Sequence, residues 1–471
     1  MKKIILYNTL GRKKEEFVPI HSGQLSFYYC GPTVYWTQHL GNLRGSFCAD
    51  VVHRTFKYLN YDVSMVRNYT DVGHLSSDED EGDDKIEKTA KAESLSAEEV
   101  ANKFIKIYED DTRDLNILEP KFKPRATENI AEMIEIIQLL IAKGYAYVTD
   151  LAIYFEVDKF KDYNKLSGRK MEKNRAGAGR GLVSDSAKKN PQDFALWFFR
   201  AGEHKNTLQF WPSPFVSPLV ESGYGFPGWH LECSTMAKKF LGETIDIHMG
   251  GVEHISVHHS NEIAQSEAAN GVKFVNYWLH NEHLLINEGK MSKSQGTAFS
   301  LAEIKAKGFS AMALRYFFLQ AHYRSQQNFT FEALKAAQKG LSGILNKLEK
   351  LGSDIGEVDE KFKEIFLEYL LDDFNTPKTL SLISEILKSD LSAADKLATV
   401  FDFDQVWGLN LSSACQTADE LPAEIKEIIS RRLEAKENKD FALSDSLRKE
   451  LEDRGYEVQD LANKQMSVKK L

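Results

Sequence analysis

The sequence predicts an α/β protein: a parallel-sheet domain split by an insertion and followed by C-terminal all-α helical regions. Three observations predict it. Strand and helix patterns alternate in the first third of the chain, the same alternation returns near residue 244 after a basic, glycine-rich and proline-rich stretch, and beyond residue 330 the apolar period is close to that of a helix. A chain of 471 residues is too long for one ordinary core and implies roughly two to four domains.

Each element has a local reason. "LSFYYC" (25–30) reads as a short aromatic strand, "LRGSFCADVVHRTFKYLNY" (43–61) as a crossover helix and "DVSMVRNYT" (62–70) as the next strand; such a crossover implies a parallel pair. Ser96 and Glu99 form a capping box ahead of Val100, Phe104, Ile107 and Tyr108, and residues 127–144 carry Ile130, Met133, Ile134 and Ile137 on one stripe. The acidic run "SSDEDEGDD" (76–84) has nothing apolar to bury and reads as a solvated loop. From 121 to 219 the texture becomes basic and glycine-rich, then proline-punctuated, which predicts an insertion with mobile loops. "TIDIHMGG" (244–251) is a strand running into glycines, and after 330 the stripe Leu334, Ala337, Leu341, Ile344, Leu345 and Leu348 marks a helix. "SSACQTADELP" (412–422) reads as a linker before a last, highly charged helical segment.

Composition bounds the function. With 42% hydrophobic and 27% charged residues and no apolar run of membrane length, the chain reads as a soluble protein without membrane partners. Its start, "MKKIILYNTLGRKKEEF", breaks its apolar patch with Asn8, Gly11 and charges, and reads as a mature cytoplasmic N-terminus. A net charge of -9 gives no general attraction to phosphate backbones, so nucleic acid would have to meet local basic patches. Cys30, Cys48, Cys233 and Cys415 are scattered, which favours thiols or metal ligands over disulfides. Cys48, among Phe47, Val51 and Val52, reads as a small buried thiol.

Three stretches carry chemistry. "PTVYWTQHLGN" (32–42) sits between the first strand and its helix, where backbone N–H groups and the helix dipole favour an anion. There His39 and Asn42 would donate and Gly41 would let a ligand approach. "KMSKS" (290–294) places Lys290 and Lys293 in a loop able to close over a polyphosphate, or in a merely soluble turn. In "HISVHHSNE" (254–262), His258 and Glu262 are spaced i, i+4 and share a face if a helix begins there. Two ligands are not a tetrahedral site. Cys30 and Cys233 are available, but spacing leaves both a zinc site and a histidine-rich core or loop cluster open.

Taken in order, "CGPTVYWTQHLGN", "RNYTDV", "GWHLECSTMA", "HMGG", "HHSNEIAQSEA" and "GKMSKS" resemble the cysteinyl-tRNA synthetases, a family of class I aminoacyl-tRNA synthetases, and "YLLDDFNTPKTL" and "AKENKDFALSDSLRKEL" extend the likeness to nearly the whole chain. The resemblance implies a Rossmann-type catalytic domain in two halves (1–120 and 220–280), a connective insertion (121–219), a KMSKS-bearing stem-contact region (281–335), a helical bundle (336–415) and a tRNA anticodon-binding domain (420–471). It implies ATP, with Mg²⁺, held by His39, Gly41, Asn42, Gly250, Gly251 and Lys293, with His39, Asn42, Lys290 and Lys293 serving catalysis. It further implies one zinc per chain on Cys30, Cys233, His258 and Glu262, with His254 and His259 as neighbours outside the ligand set. Thr70 and Trp229 would meet the substrate. Expected partners are cysteine, ATP and cysteine tRNA, and the expected state is a monomer. The family usually carries aspartate where this chain has Glu253, its "TDVDDKI" segment is shorter than the one here, and its terminal tryptophan pattern is absent from "LANKQMSVKKL". Two alternatives share parts of this pattern: a mycothiol-type ligase joining cysteine to an amino sugar, and a non-catalytic tRNA-binding paralogue. The helical C-terminal half argues against the first, and intact "HLGN" and "KMSKS" against the second.

Overall fold

The computed structural model describes residues 3–72, 85–168, 185–286, 289–290, 298–412, 422–438, 440–460 and 466–470. The acidic run 76–84, Met291 to Ser294 of "KMSKS", Cys415 and most of the expected 412–422 linker lie outside these residues. So does the part of the insertion at 169–184.

An antiparallel hairpin of β1 (Ile5–Asn8) and β2 (Lys13–Glu16) leads into β3 (Gln24–Tyr29), α1 (Leu40–Tyr58) and β4 (Asp62–Arg67). The crossover expected over 43–61 begins at Leu40 instead, because the His39 side chain caps it. Next come α2 (Lys85–Glu93), α3 (Ala97–Asp114), whose Ser96–Glu99 capping box is formed as predicted, and α4 (Ile130–Ala142). The insertion carries its own antiparallel sheet of β5 (Ala146–Val148), β6 (Ala152–Phe155), β7 (Phe194–Phe199) and β8 (Gly225–Pro227), paired in that order. The chain returns through α5 (Trp229–Leu241), β9 (Ile245–Gly251), α6 (His258–Asn270) and β10 (Val275–Asn281).

The central sheet is parallel, in the order β10-β9-β3-β4. Alternation along its strands assigns the two faces. Phe27, Tyr29, Ile247, Met249 and Leu279 face α1, α3 and the later helices in one core, whereas Tyr28, Val66 and Trp278 face α4, α5, α6 and the insertion in another. Both faces are covered, as a parallel sheet requires.

A small sheet follows, made of β11 (Leu284–Ile286), β12 (Gly289–Lys290) and β13 (Gln327–Phe329), with α7 (Leu301–Ala306) and α8 (Ala311–Leu319) between its strands. The bundle consists of α9 (Phe331–Glu349), α10 (Glu360–Leu370), α11 (Thr376–Lys388) and α12 (Ala393–Trp407). The last segment, α13 (Ala423–Glu437) and α14 (Phe441–Asp453), adds a hairpin of β14 (Tyr456–Asp460) and β15 (Met466–Lys470) to the expected helices. It has a core of its own, including Ile425, Ile428, Leu447, Leu451, Tyr456 and Val458.

One buried carboxylate joins α1 to the helical half. Asp50 Oδ2 accepts from Arg54 Nε at 2.8 Å and from a terminal nitrogen of Arg315 at 2.6 Å, and its Oδ1 accepts from the Leu118 N–H at 2.8 Å. Arg315, on α8, also donates to the carbonyls of Trp407 at 2.6 Å and Leu115 at 2.9 Å. Burial alone would raise the Asp50 pKa, but Arg315 and Arg54 outweigh it and hold the group below its ordinary value. A folded-state pKa below the unfolded one stabilises the fold at neutral pH, and that contribution is lost as pH falls through the carboxylate range. Asp50→Ala leaves two guanidinium groups buried without their carboxylate and is expected to cost about 3–5 kcal/mol. Chemical denaturation at pH 7 checks this; the difference from wild type should shrink as the measurement moves to acid.

Candidate active site

The strand order reverses at β3: the chain crosses to β4 on one side and later to β9 and β10 on the other. Loops leaving the carboxyl ends of β3 and β9 therefore diverge, and a crevice opens between them. It is a cavity of about 430 Å³. Cys30 after β3, Thr70 after β4, Gly250 and Gly251 on β9 and Asn281 on β10 line it, joined by His39, Gly41 and Asn42 at the head of α1, Trp229 and Cys233 on α5, and His258 on α6. The structure thus gathers almost every residue expected from the sequence into one site. Glu262 lies behind the lining, fully buried. Lys290 belongs to β12, opposite Leu285, and not to an open loop; Lys293 falls outside the described residues.

The head of α1 differs from the expectation in one respect. His39 Nδ1 accepts from the N–H groups of Gly41 at 3.1 Å and Asn42 at 3.3 Å. The Leu40 N–H donates to the Phe299 carbonyl at 2.9 Å and that of Leu43 to the His39 carbonyl at 3.1 Å. First-turn backbone donors expected to meet an anion are thus already engaged within the protein, leaving side chains and the helix dipole for that purpose. Because those backbone groups can only donate, Nδ1 is the acceptor, and the neutral ring carries its proton on Nε2.

Behind the crevice, donor atoms of Cys30, Cys233, His258 and Glu262 all lie within 4.8 Å of one another. The helix expected at the histidine-rich stretch begins at His258, and its pitch brings His258 Nε2 to 3.0 Å from Glu262 Oε1. The two thiols arrive from β3 and α5, with sulfur atoms 3.8 Å apart. A second group overlaps the first: Cys30, His248, His259 and Glu262. His248 Nε2 is 2.8 Å from Glu262 Oε2, and His259 Nε2 is 3.4 Å from Cys30 Sγ. The first group borders the crevice through Cys30, Cys233 and His258, whereas His248 and His259 are not among the lining residues.

Electrostatics shows what this cluster favours. Burial pushes the Glu262 carboxyl up, but His248 and His258 outweigh it and bring it down to about 2. Burial likewise lowers His258, yet Glu262 and Cys233 lift it to about 10. The hydrogen bond with Cys30 holds Cys233 down at about 6 against burial, while burial drives Cys30 well up. An anionic carboxylate and an acidic thiol thus draw a proton onto the His258 imidazole, in a cluster that is largely buried and concentrates negative charge for a cation. That is the chemistry of a borderline-soft divalent cation site.

The pocket wall beside this cluster is braced. Trp229 stacks on the His258 ring, with centroids 4.3 Å apart and planes 23° apart, and the opposite ring nitrogen of His258 lies 2.9 Å from His230 Nδ1. The Thr70 hydroxyl donates to the buried Glu232 carboxylate at 2.7 Å and receives from Asn68 Nδ2 at 3.3 Å. Gly250 has a tighter reason than ligand access: a Cβ there would meet the His254 and His259 rings at 2.6 and 2.7 Å.

Sequence reasoning missed His248, Glu232 and Asn68. His248 had a readable signal, being a polar residue in the midst of a strand otherwise rich in apolar side chains. It sits on one row of the sheet with Tyr28 and Trp278, stacked on the latter at 4.6 Å. Asn68 also had a signal, lying two residues before Thr70 in an extended stretch and so on the same side of the chain; Glu232 had none, since only the fold brings it to Thr70.

Comparison with known proteins now gives the frame. Residues 16–339 match the family of tRNA synthetases class I (C) catalytic domains. A curated cysteine–tRNA ligase of Treponema denticola is 41% identical over 492 residues, covering 98% of both chains. Cysteine–tRNA ligase 1 of Burkholderia lata is 40% identical over 97% of this chain and 95% of its own, and the cysteine–tRNA ligase of Clostridioides difficile is 40% identical over 97% of both. Among solved structures, Mycobacterium tuberculosis methionyl-tRNA synthetase in complex with methionyl-adenylate superposes with a TM-score of 0.54 at 14% identity, covering 89% of this chain and 96% of that one. That likeness concerns the fold. Sequence relatives at this identity over its full length establish that the chain belongs to the cysteine–tRNA ligases, class I aminoacyl-tRNA synthetases with an ATP-dependent ligase activity.

Proposed function

We propose that the crevice activates cysteine with ATP, releasing pyrophosphate, and then transfers it to a ribose hydroxyl of the 3′-terminal adenosine of its tRNA. The observation that carries this reading is the convergence of the α1 head and the Cys30, Cys233, His258 and Glu262 group on one cavity.

A carboxylate is ionised at neutral pH and attacks the α-phosphate without a general base. The protein's contribution is alignment and charge stabilisation. His39, whose Nδ1 is engaged by the backbone, offers Nε2–H to the phosphate oxyanions, and the Asn42 side chain is the second donor. Gly41, Gly250 and Gly251 give the nucleotide close approach. Lys290 and Lys293, with the Mg²⁺ that accompanies ATP, neutralise the departing pyrophosphate. Trp229 walls the amino-acid end, and Thr70, fixed by Glu232 and Asn68, orients the substrate. Cys30, Cys233, His258 and Glu262 would hold zinc, and a bound zinc supplies a soft acceptor that distinguishes sulfur from the oxygen of serine. Packing alone separates such near-isosteres poorly.

The amino-sugar ligase alternative is not favoured, because cysteine–tRNA ligases match the chain through its C-terminal helices. Cysteine-dependent pyrophosphate exchange and charging of cysteine tRNA test the whole reading.

Elemental analysis should find about one zinc per chain. Cys233→Ala and His258→Ala should lose it, whereas His259→Ala, outside the group that borders the crevice, should keep it. Retention of zinc by the first two variants would assign the ion to the deeper group instead. Lys293→Ala should lower the exchange rate by roughly 10²-fold or more while leaving the cysteine KM within a fewfold, because its partner is charge that develops during reaction. Deleting residues 422–471, whose described part includes a core of its own, should impair charging and spare exchange, since α13 exposes basic side chains such as Lys426 and Arg431 to a phosphate backbone. Unchanged charging by a folded truncation would give this segment another role.

A further inference from the structure

Trp36 stands at the rim of the crevice, in the loop between β3 and α1, and is 50% exposed. An indole held half in water forgoes much of the burial that tryptophans usually gain, so its placement calls for a cause. The loop is firmly held. Val34 is fully buried and its N–H donates to the Thr70 carbonyl at 3.1 Å. Gln38 Nε2 donates to the carbonyls of Thr33 at 3.1 Å and Trp36 at 3.2 Å. The indole lies nearly parallel to Phe104 of α3, with planes 20° apart and centroids 6.5 Å apart. An aromatic plane is thus kept in a fixed orientation beside the opening.

Its side of the opening is informative. In the order β10-β9-β3-β4, Thr70 follows β4, and the Trp36 loop is tied to Thr70. The nucleotide residues Gly250 and Gly251 end β9, across β3. The same loop runs on into His39 at the head of α1, and Phe104 belongs to the core on the α1 face of the sheet, so the indole stands at the rim on that face. An incoming ribose hydroxyl must pass the rim of the crevice to reach the activated carboxyl. A single-stranded nucleic-acid end is recognised chiefly by stacking its bases on aromatic rings, and a rigid tryptophan loses little freedom in doing so.

We propose that Trp36 is the stacking platform for the unpaired 3′-terminal base of the tRNA, positioning its ribose for transfer. The proposal rests on the tRNA-charging reading above. Its test uses the full-length enzyme, tRNA carrying 2-aminopurine at the 3′-terminal position, and the variants Trp36→Ala, Trp36→Phe and Trp36→Leu. Wild type should catalyse cysteine-dependent exchange, charge natural tRNA and quench the 2-aminopurine signal. Trp36→Ala should lose the quench and lower kcat/KM for tRNA about tenfold more than it lowers exchange, mostly through KM; Trp36→Phe should retain most charging. Should Trp36→Ala fail to fold, Trp36→Leu, which keeps an apolar side chain without a π face, replaces it. A parallel loss of exchange and charging, or unaltered quenching and charging in the Ala or Leu variant, overturns the proposal. A wild type that exchanges and charges while its variants do the same sinks the stacking role alone; a wild type that charges no tRNA sinks the underlying reading first.

Discussion

Glu262 is a carboxylate with no solvent exposure, and a charge in that position persists only where compensating groups are buried with it. His248 and His258 each place a ring nitrogen on one of its oxygens, at 2.8 and 3.0 Å. This requirement organises the centre of the molecule. It requires α6 to have begun by His258, because a helix running through both residues puts them one turn apart on one face. It demands a polar residue in the middle of β9, and it draws the thiols of β3 and α5 to the same place.

The other end of the crevice rests on a comparable arrangement. α1 presents His39 and Asn42 to the cavity only while the helix stays seated, and its seat is the buried Asp50 with Arg54 and Arg315. Arg315 belongs to α8, and its further bonds reach the end of α12. The helical half is therefore part of the scaffold that aims the α1 head. Arg44 adds to the same seam by donating to carbonyls of Glu282 and Ser325 beyond β10. Two charged networks, each closed to water, hold opposite flanks of one opening, and parallel-sheet topology supplies the opening itself.

Catalysis of this kind asks for placed donors more than for reactive side chains, since the nucleophile arrives ionised and the leaving group needs only neutralisation. That explains why much of the site's polar equipment is engaged inside the protein before any substrate arrives. His39 Nδ1 is committed to its own helix and Thr70 to Glu232.

Local patterns determined much of this protein: strand–helix–strand alternation for the parallel sheet, the Ser96–Glu99 box for the start of α3, the i, i+4 spacing for the His258–Glu262 pair, and ordered motifs for the family. These depend on neighbours within a few residues, where spacing along the chain translates directly into spacing in space. What the sequence left open was decided by long-range packing. Cys30 and Cys233 are 203 residues apart along the chain, yet their sulfur atoms lie 3.8 Å apart, a closeness that spacing left open and only the family resemblance implied. The engagement of the Leu40 N–H by Phe299, the entry of His248 and His259 beside the thiols, the support of Thr70 by Glu232, and the exposed stance of Trp36 all belong to this second kind. In each, a polar or aromatic group takes its role from partners that only the assembled sheet and its covering helices bring within hydrogen-bonding or stacking distance.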